Sequence, residues 1–193
     1  MPKYIIEHFE EELFEWCLIE YSHISEIAGK ENLIFTHVRN PKDRKILQKL
    51  GKVFSESSAE LNFKGLCLLD SDAKQNLKAE DAEKFEHFLF GGILGDNPPR
   101  GRTKELIRKL KENSLKFELR NLGAKQMPTD TAVYAAKKIL EGSELKKLKF
   151  IDGIEIEISE NESVMLPYRY AAEGSRPVVS SRLVGYLKKK NSF

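Results

Sequence analysis

Two glycine-bearing segments, FGGILGD at 90–96 and LRNLGAKQMPTDT at 119–131, offer a ligand much backbone and little side chain. Each follows a short apolar run and precedes a stretch with helical spacing, so each reads as a loop leaving the carboxyl end of a strand. The two strand ends are read as neighbours in a parallel sheet. Open α/β sheets bind ligands at such ends, against peptide N–H and C=O groups that glycine leaves accessible. The first loop continues through Asp96, Pro98, Pro99, Arg100 and Arg102, adding a carboxylate, a stiff exit and two cations. In the second, Thr129 or Asp130 is placed to cap the next helix, whose N–H groups could instead receive a carboxylate from a ligand.

Three further acids stand out. Glu20 falls inside an apolar stripe formed at helical spacing by Leu13, Trp16, Cys17, Ile24 and Ile27. Burying a lone carboxylate is costly, so Glu20 needs a cation such as Arg100 or Arg102, a proton, or a place lining a cleft. Glu7 ends the first strand, either as a site residue or as an exposed strand-end acid. Asp70, ending another strand, reads as a turn acid.

The elements that must position these residues alternate. Strands are predicted at 4–8, 33–38, 66–70, 88–90 and 115–119, with helices at 10–28, 41–51, 79–84, 103–112 and 130–140. Asn40 followed by Pro41 marks one helix start, and Gly29 and Gly51 mark two helix ends. Central strands apolar on both faces, joined by helical crossovers, predict an α/β fold: a parallel sheet with helices on both faces. Beyond it, Ile154, Ile156 and Ile158 alternate with acids as a half-exposed strand, a turn follows, and a short basic helix covers 182–190. The division is residues 1–152 as the main domain and 153–193 as an extension packed on it.

Composition narrows the function classes. Forty per cent apolar and 32 per cent charged residues describe a soluble domain, and a net charge of +2 gives no whole-molecule attraction to nucleic acid. No apolar run approaches the roughly 20 residues that cross a bilayer, and no signal-peptide pattern opens the sequence, so a cytoplasmic location is expected. Cys17 and Cys67 sit in apolar surroundings and read as reduced core thiols. There is no GxxxxGK[ST], no GxGxxG after the first strand and no HExxH; four scattered histidines make a zinc site improbable.

The sequence resembles the SPOUT methyltransferases, and within them the small group once described as predicted RNA methyltransferases. The strings that carry the resemblance are YIIEH at 4–8, Glu20 with Tyr21, FGGILGD at 90–96, Pro98 and Pro99, RTKEL at 102–106, KQM at 125–127, TDTA at 129–132, FID at 150–152 and PYRY at 167–170. It implies a C-terminal trefoil knot that holds S-adenosylmethionine. It also implies cofactor contacts from Leu69, Asp70, Gly91, Gly92, Ile93, Leu94, Gly95, Leu122, Gly123, Gln126, Met127, Thr129, Asp130 and Thr131. A eukaryotic member of the group methylates an arginine of a small-subunit ribosomal protein, which implies a ribosomal protein or small ribosomal subunit as substrate and a monomeric enzyme. Carboxylates in a partly dry pocket can orient a guanidinium and accept its proton. Glu7, Glu20 and Asp96 are the candidates, with Arg100 or Arg102 as an anchor for one of them or for the cofactor carboxylate. The competing readings are an RNA methyltransferase using Arg100, Arg102, Lys104 and the basic tail for phosphates, and a non-catalytic ribosome- or RNA-binding module.

Overall fold

The computed structural model describes residues 1–91, 101–159 and 162–190. Its main sheet has six parallel strands: β1 (Lys3–Glu7), β2 (Leu33–Thr36), β3 (Lys52–Val53), β4 (Leu66–Leu69), β5 (His87–Gly91) and β6 (Phe117–Arg120). They lie in the order β3-β2-β1-β5-β4-β6. Helices α1 (Glu15–Ala28), α2 (Pro41–Leu47), α3 (Asp81–Lys84) and α4 (Arg102–Glu112) lie in crossovers between its strands, and α5 (Thr129–Leu140) follows β6.

Period-two alternation along the strands sorts the core into two layers. Ile6, Phe35, Cys67, Leu69, Phe88 and Phe90 pack with Tyr21 and Ile24 of α1 and with Val133, Ala136 and Ile139 of α5. Ile5, Ile34, Leu66, Leu68 and Leu89 face Leu106 and Leu110 of α4. Both cysteines are free and buried, and burial raises both thiols above their ordinary range.

Some expectations need correction. The two glycine-bearing loops leave strands that are not neighbours, because β4 pairs with β5 on one side and β6 on the other. Helix α1 starts at Glu15, since the preceding segment is pinned outside it: the Leu13 N–H donates to Asp43 Oδ2 at 3.0 Å, and Glu10 pairs with Arg102. Helix α2 is capped as read, with Asn40 Oδ1 accepting the Lys42 N–H at 2.9 Å, but it ends at Leu47. Gly51 then enters the edge strand β3, and there a side chain would meet the Leu33 carbonyl oxygen at 2.6 Å.

The C-terminal part is a second, antiparallel sheet of β7 (Lys149–Ser159), β8 (Glu162–Glu173) and β9 (Arg176–Pro177), followed by α6 (Ser181–Lys190). Pro167 in β8 falls opposite a register shift between Asp152 and Ile154, where Gly153 has φ +75°. A bulge there leaves proline no ladder bond to break. The expected division after Asp152 coincides with this bulge, inside β7. Ile154, Ile156, Leu166, Tyr170, Leu183 and Leu187 form the core of this layer, which packs against Trp16 and Ile19 of α1.

Candidate active site

Parallel register brings the strand ends to one edge. Glu7 lies opposite Thr36 on one side and Gly91 on the other, and Leu69 lies opposite Arg120. Glu7 is only 1% exposed, and both its oxygens are taken. The hydroxyl of Thr36 donates to Oε2 at 2.6 Å, the Ser58 N–H donates to the same oxygen at 2.9 Å, and the Ser57 hydroxyl donates to Oε1. Three donors from two segments make this carboxylate a strut between β1, β2 and the 57–58 turn. It shares strand parity with Ile5 and therefore points to the α4 layer, whereas Glu20 sits on α1 in the opposite layer. The fold does not bring these two acids together.

Glu20 is buried at the N-terminus of α5. Its Oε1 accepts the Thr129 N–H at 2.9 Å, and the Asp130 N–H and the Trp16 indole N–H also bond the carboxylate. Pro128 at the cap position has no side-chain acceptor to offer, so α5 is capped from α1 rather than by Thr129 or Asp130. Of the two arginines expected as its partner, Arg102 reaches Glu10 instead and Arg100 lies outside the described residues, while Lys104 pairs with Asp72 at 3.2 Å. Desolvation first, and then the nearby charge of Asp130, hold the Glu20 carboxyl well above the ordinary carboxylate range; the N–H donors pull against them without prevailing.

Asp130, itself 4% exposed, points the other way. Its Oδ2 lies 2.7 Å from His23 Nδ1, and its Oδ1 accepts the Thr131 N–H at 2.6 Å. Tyr170 of β8 is buried in the field of both acids, and its hydroxyl is raised above its ordinary value, by burial first and then by Asp130 and Glu20. His23, Trp16 and Tyr170 were not among the site residues expected from the sequence. Spacing from Glu20 was a usable signal for the first two, because positions four before and three after it share its helix face.

The second loop runs beside this cluster. Leu122 is buried, Met127 packs against the main core, and Gly123 has φ +101° with its N–H on Asn121 Oδ1 at 2.9 Å. The Arg169 N–H of β8 donates to the Gln126 carbonyl at 2.9 Å, fastening the loop to the second sheet. Asp70 makes a turn, accepting the Asp72 N–H at 3.2 Å through Oδ1. Among the described residues, the peptide groups of Leu122 and Met127 find no hydrogen-bond partner, and the buried Thr131 Oγ1 has none either. Free peptide groups beside apolar side chains suit a planar heterocycle, and a lone buried hydroxyl suits a polar ligand atom. Gly92, Ile93, Leu94, Gly95, Asp96 and Arg100 lie outside the described residues. Of the expected site residues, Glu20, Thr129, Asp130 and Thr131 meet at the start of α5, and Leu69, Leu122 and Met127 belong to the hydrophobic layer that α1 and α5 share.

A six-stranded parallel sheet flanked by helices, with a buried acid pair at the start of α5, defines an α/β protein. The fold superimposes on the dual-specific Trm10 of Thermococcus kodakaraensis with a TM-score of 0.57, covering 76% of this chain and 96% of that one at 17% identity, a likeness of fold alone. The chain belongs to the SFM1-like protein arginine N-methyltransferase family, whose model matches residues 3–192. It is 39% identical over 207 residues to the protein arginine N-methyltransferase SFM1 of Saccharomyces cerevisiae, covering 98% of this chain and 96% of that protein. The crystal structure of the yeast enzyme complexed with S-adenosylmethionine matches with a TM-score of 0.88 at 37% identity, over 100% of this chain and 92% of that one. Its complex with S-adenosylhomocysteine matches at 0.85 and 38%, over 96% and 94%.

Proposed function

We propose that this protein is an S-adenosylmethionine-dependent methyltransferase that modifies an arginine of a small-subunit ribosomal protein, acting as a monomer in the cytoplasm. The observation that carries the reading is the buried acid pair Glu20 and Asp130 at the start of α5, in a chain that belongs to an arginine methyltransferase family. A sulfonium and a guanidinium are both cations, and a partly dry pocket with two carboxylates favours either. The cofactor, when bound, supplies a methyl group on a positively charged sulfur.

The chain's own residues do the rest. Leu69, Leu122 and Met127 enclose the apolar parts of the cofactor, while Asp70, Gly91, Gly123, Gln126, Thr129, Asp130 and Thr131 line its polar edge. Glu20 orients the substrate guanidinium toward the methyl carbon, since in-line displacement depends chiefly on positioning. Glu7 acts only through the shape of the sheet edge. Knotting of the chain and its division into a methyltransferase unit (1–152) and an extension (153–193) belong to the same reading. The separate hydrophobic cluster of β7, β8 and α6 supports the division. No described helix is long and apolar enough to cross a membrane.

An RNA substrate is less supported, because Arg102, one of the cations that phosphates would need, is held by Glu10 in a partly buried pair. The deciding experiment incubates the protein with radiolabelled S-adenosylmethionine and small ribosomal subunits from cells lacking their own enzyme, then digests with RNase or protease. Label that survives RNase and is released by protease supports the arginine reading. The opposite pattern moves the substrate to RNA.

A further inference from the structure

Four histidines are distributed over the fold, and among the described residues His23 is the one joined to a carboxylate. His8 uses Nδ1 on the Tyr21 hydroxyl and has Nε2 sealed without a partner. His37 and His87 direct Nδ1 to the carbonyls of His8 and Lys64. His23 Nδ1 instead lies 2.7 Å from Asp130 Oδ2. A carboxylate only accepts, so Nδ1 carries the hydrogen, and in the neutral ring the lone pair is on Nε2. Asp130 is kept from swinging by the Thr131 N–H on its other oxygen. The His23 side chain is 13% exposed, and its Nε2, unlike that of His8, is not sealed in the interior. It lies three residues beyond Glu20 on the same face of α1. An oriented, accessible proton acceptor thus stands beside the acid that faces the cation.

We propose that His23 accepts the proton released by methyl transfer, with Asp130 as its positioning residue; this rests on the arginine methyltransferase reading. As a guanidinium nitrogen forms its bond to the methyl carbon, the carbon–sulfur bond breaks and its electron pair stays on sulfur. The proton displaced from that nitrogen passes to His23 Nε2. The resulting imidazolium is stabilised by Asp130 and returns the proton to water. The product guanidinium keeps its positive charge, so Glu20 holds a cation before and after the step.

The free protein offers a first test. Two-bond ¹H–¹⁵N spectra should find His23 as the Nδ1–H tautomer, and Asp130→Asn should abolish that preference. His23→Asn keeps an N–H donor toward Asp130 but lacks the ring acceptor. With small ribosomal subunits as methyl acceptor, its kcat should fall about 100-fold or more, the usual scale for a lost general base. Its affinity for S-adenosylmethionine by calorimetry should stay within about twofold, because the cofactor contacts are untouched. Added imidazole should restore roughly tenfold of the turnover lost in His23→Ala, a rescue that a purely structural role would not allow. Wild-type turnover in His23→Asn, an Nε2–H tautomer, or failure of imidazole rescue would overturn the inference while leaving the arginine reading intact. If His23→Asn does not fold, the tautomer and the imidazole arm decide. Absence of both cofactor binding and methyl transfer in the unaltered protein would remove the arginine reading, and this inference with it.

Discussion

The Glu20 carboxylate of α1 closes the start of α5, accepting the Thr129 N–H at 2.9 Å from a position 109 residues earlier in the chain. One side chain therefore serves as a helix cap and, in the proposed reaction, as the orienting acid. The folded state holds the Glu20 carboxyl above its ordinary value, so the fold binds its proton more tightly than the unfolded chain does. The stability this brings is fully present below the ordinary carboxylate pKa and is lost as pH rises toward about 8. Glu20→Gln lacks this titration. In urea denaturation at pH 5, 7 and 8.5, the stability of the wild type relative to Glu20→Gln should fall steadily as pH rises. A flat difference would mean that the carboxyl titrates normally.

Proton linkage extends to the ligand. An arriving cation favours the ionised form of Glu20, so binding S-adenosylmethionine near pH 7 should expel a proton. Calorimetry in phosphate and Tris buffers, whose ionisation enthalpies differ, should give different apparent heats for the wild type and equal heats for Glu20→Gln. Equal heats in both proteins would place the sulfonium away from this acid.

Glu7 behaves as a strut, and its loss should be felt in stability rather than in chemistry. Hydrogen bonds to a buried charged group contribute about 1.5–3 kcal/mol each when the partner is left unsatisfied, so Glu7→Ala should lower unfolding free energy by several kcal/mol. Should Glu7→Gln fold and retain cofactor affinity but lose kcat by orders of magnitude, a direct catalytic role would have to be restored to it.

Arg120 and Asp81 form a buried pair in which Nε lies 3.1 and 3.0 Å from the two carboxylate oxygens and Nη2 lies 3.0 Å from one of them. Arg120 ends β6, immediately before the second loop. Removing Asp81 leaves the buried guanidinium with the half-exposed Glu118, 3.2 Å from Nη2, as its remaining described ion-pair partner, so Asp81→Ala should cost about 3 kcal/mol, the lower end for a broken buried pair. Chemical denaturation reads this directly, and a loss under 1 kcal/mol would mean that water reaches the guanidinium once its partner is gone.

On the surface, Asp152 gathers Lys125 from the second loop, at 2.6 Å, and Arg169 from β8, at 2.7 Å. Both cations hold its carboxyl well below the usual range, Arg169 first. Exposed pairs are weak, so Asp152→Asn should leave the melting temperature nearly unchanged while lowering cofactor affinity about two- to fivefold by loosening the loop. High salt should erase the difference between the two proteins.

Alternating apolar strands and helices were legible in the sequence because two-faced burial leaves a plain hydrophobic signature, and the Asn40–Pro41 start is a local signal. What escaped reading was non-local. Strand β3 has two residues, too few for any period, and β8 is interrupted by Pro167, whose tolerance depends on a bulge in another strand. That β4 separates β5 from β6 depends on pairing, which no local pattern encodes. At the site, Glu20 announced itself as an acid in an apolar stripe, but the Thr129 bond that fixes it comes from a backbone N–H, a group that every residue except proline carries and no sequence marks. His23 looked like one of four scattered histidines until the fold set Asp130 against it.

The place of β1 in the sheet has a consequence for biosynthesis. This strand lies between β2 and β5, and β5 is encoded more than eighty codons later. A ribosome adding about 5–20 residues each second leaves one edge of β1 unpaired for on the order of ten seconds. Throughout that interval the emerging polypeptide displays Tyr4, Ile5 and Ile6 with one sheet neighbour missing. Nascent molecules of this protein should therefore lean on holdase chaperones more than its modest size would suggest.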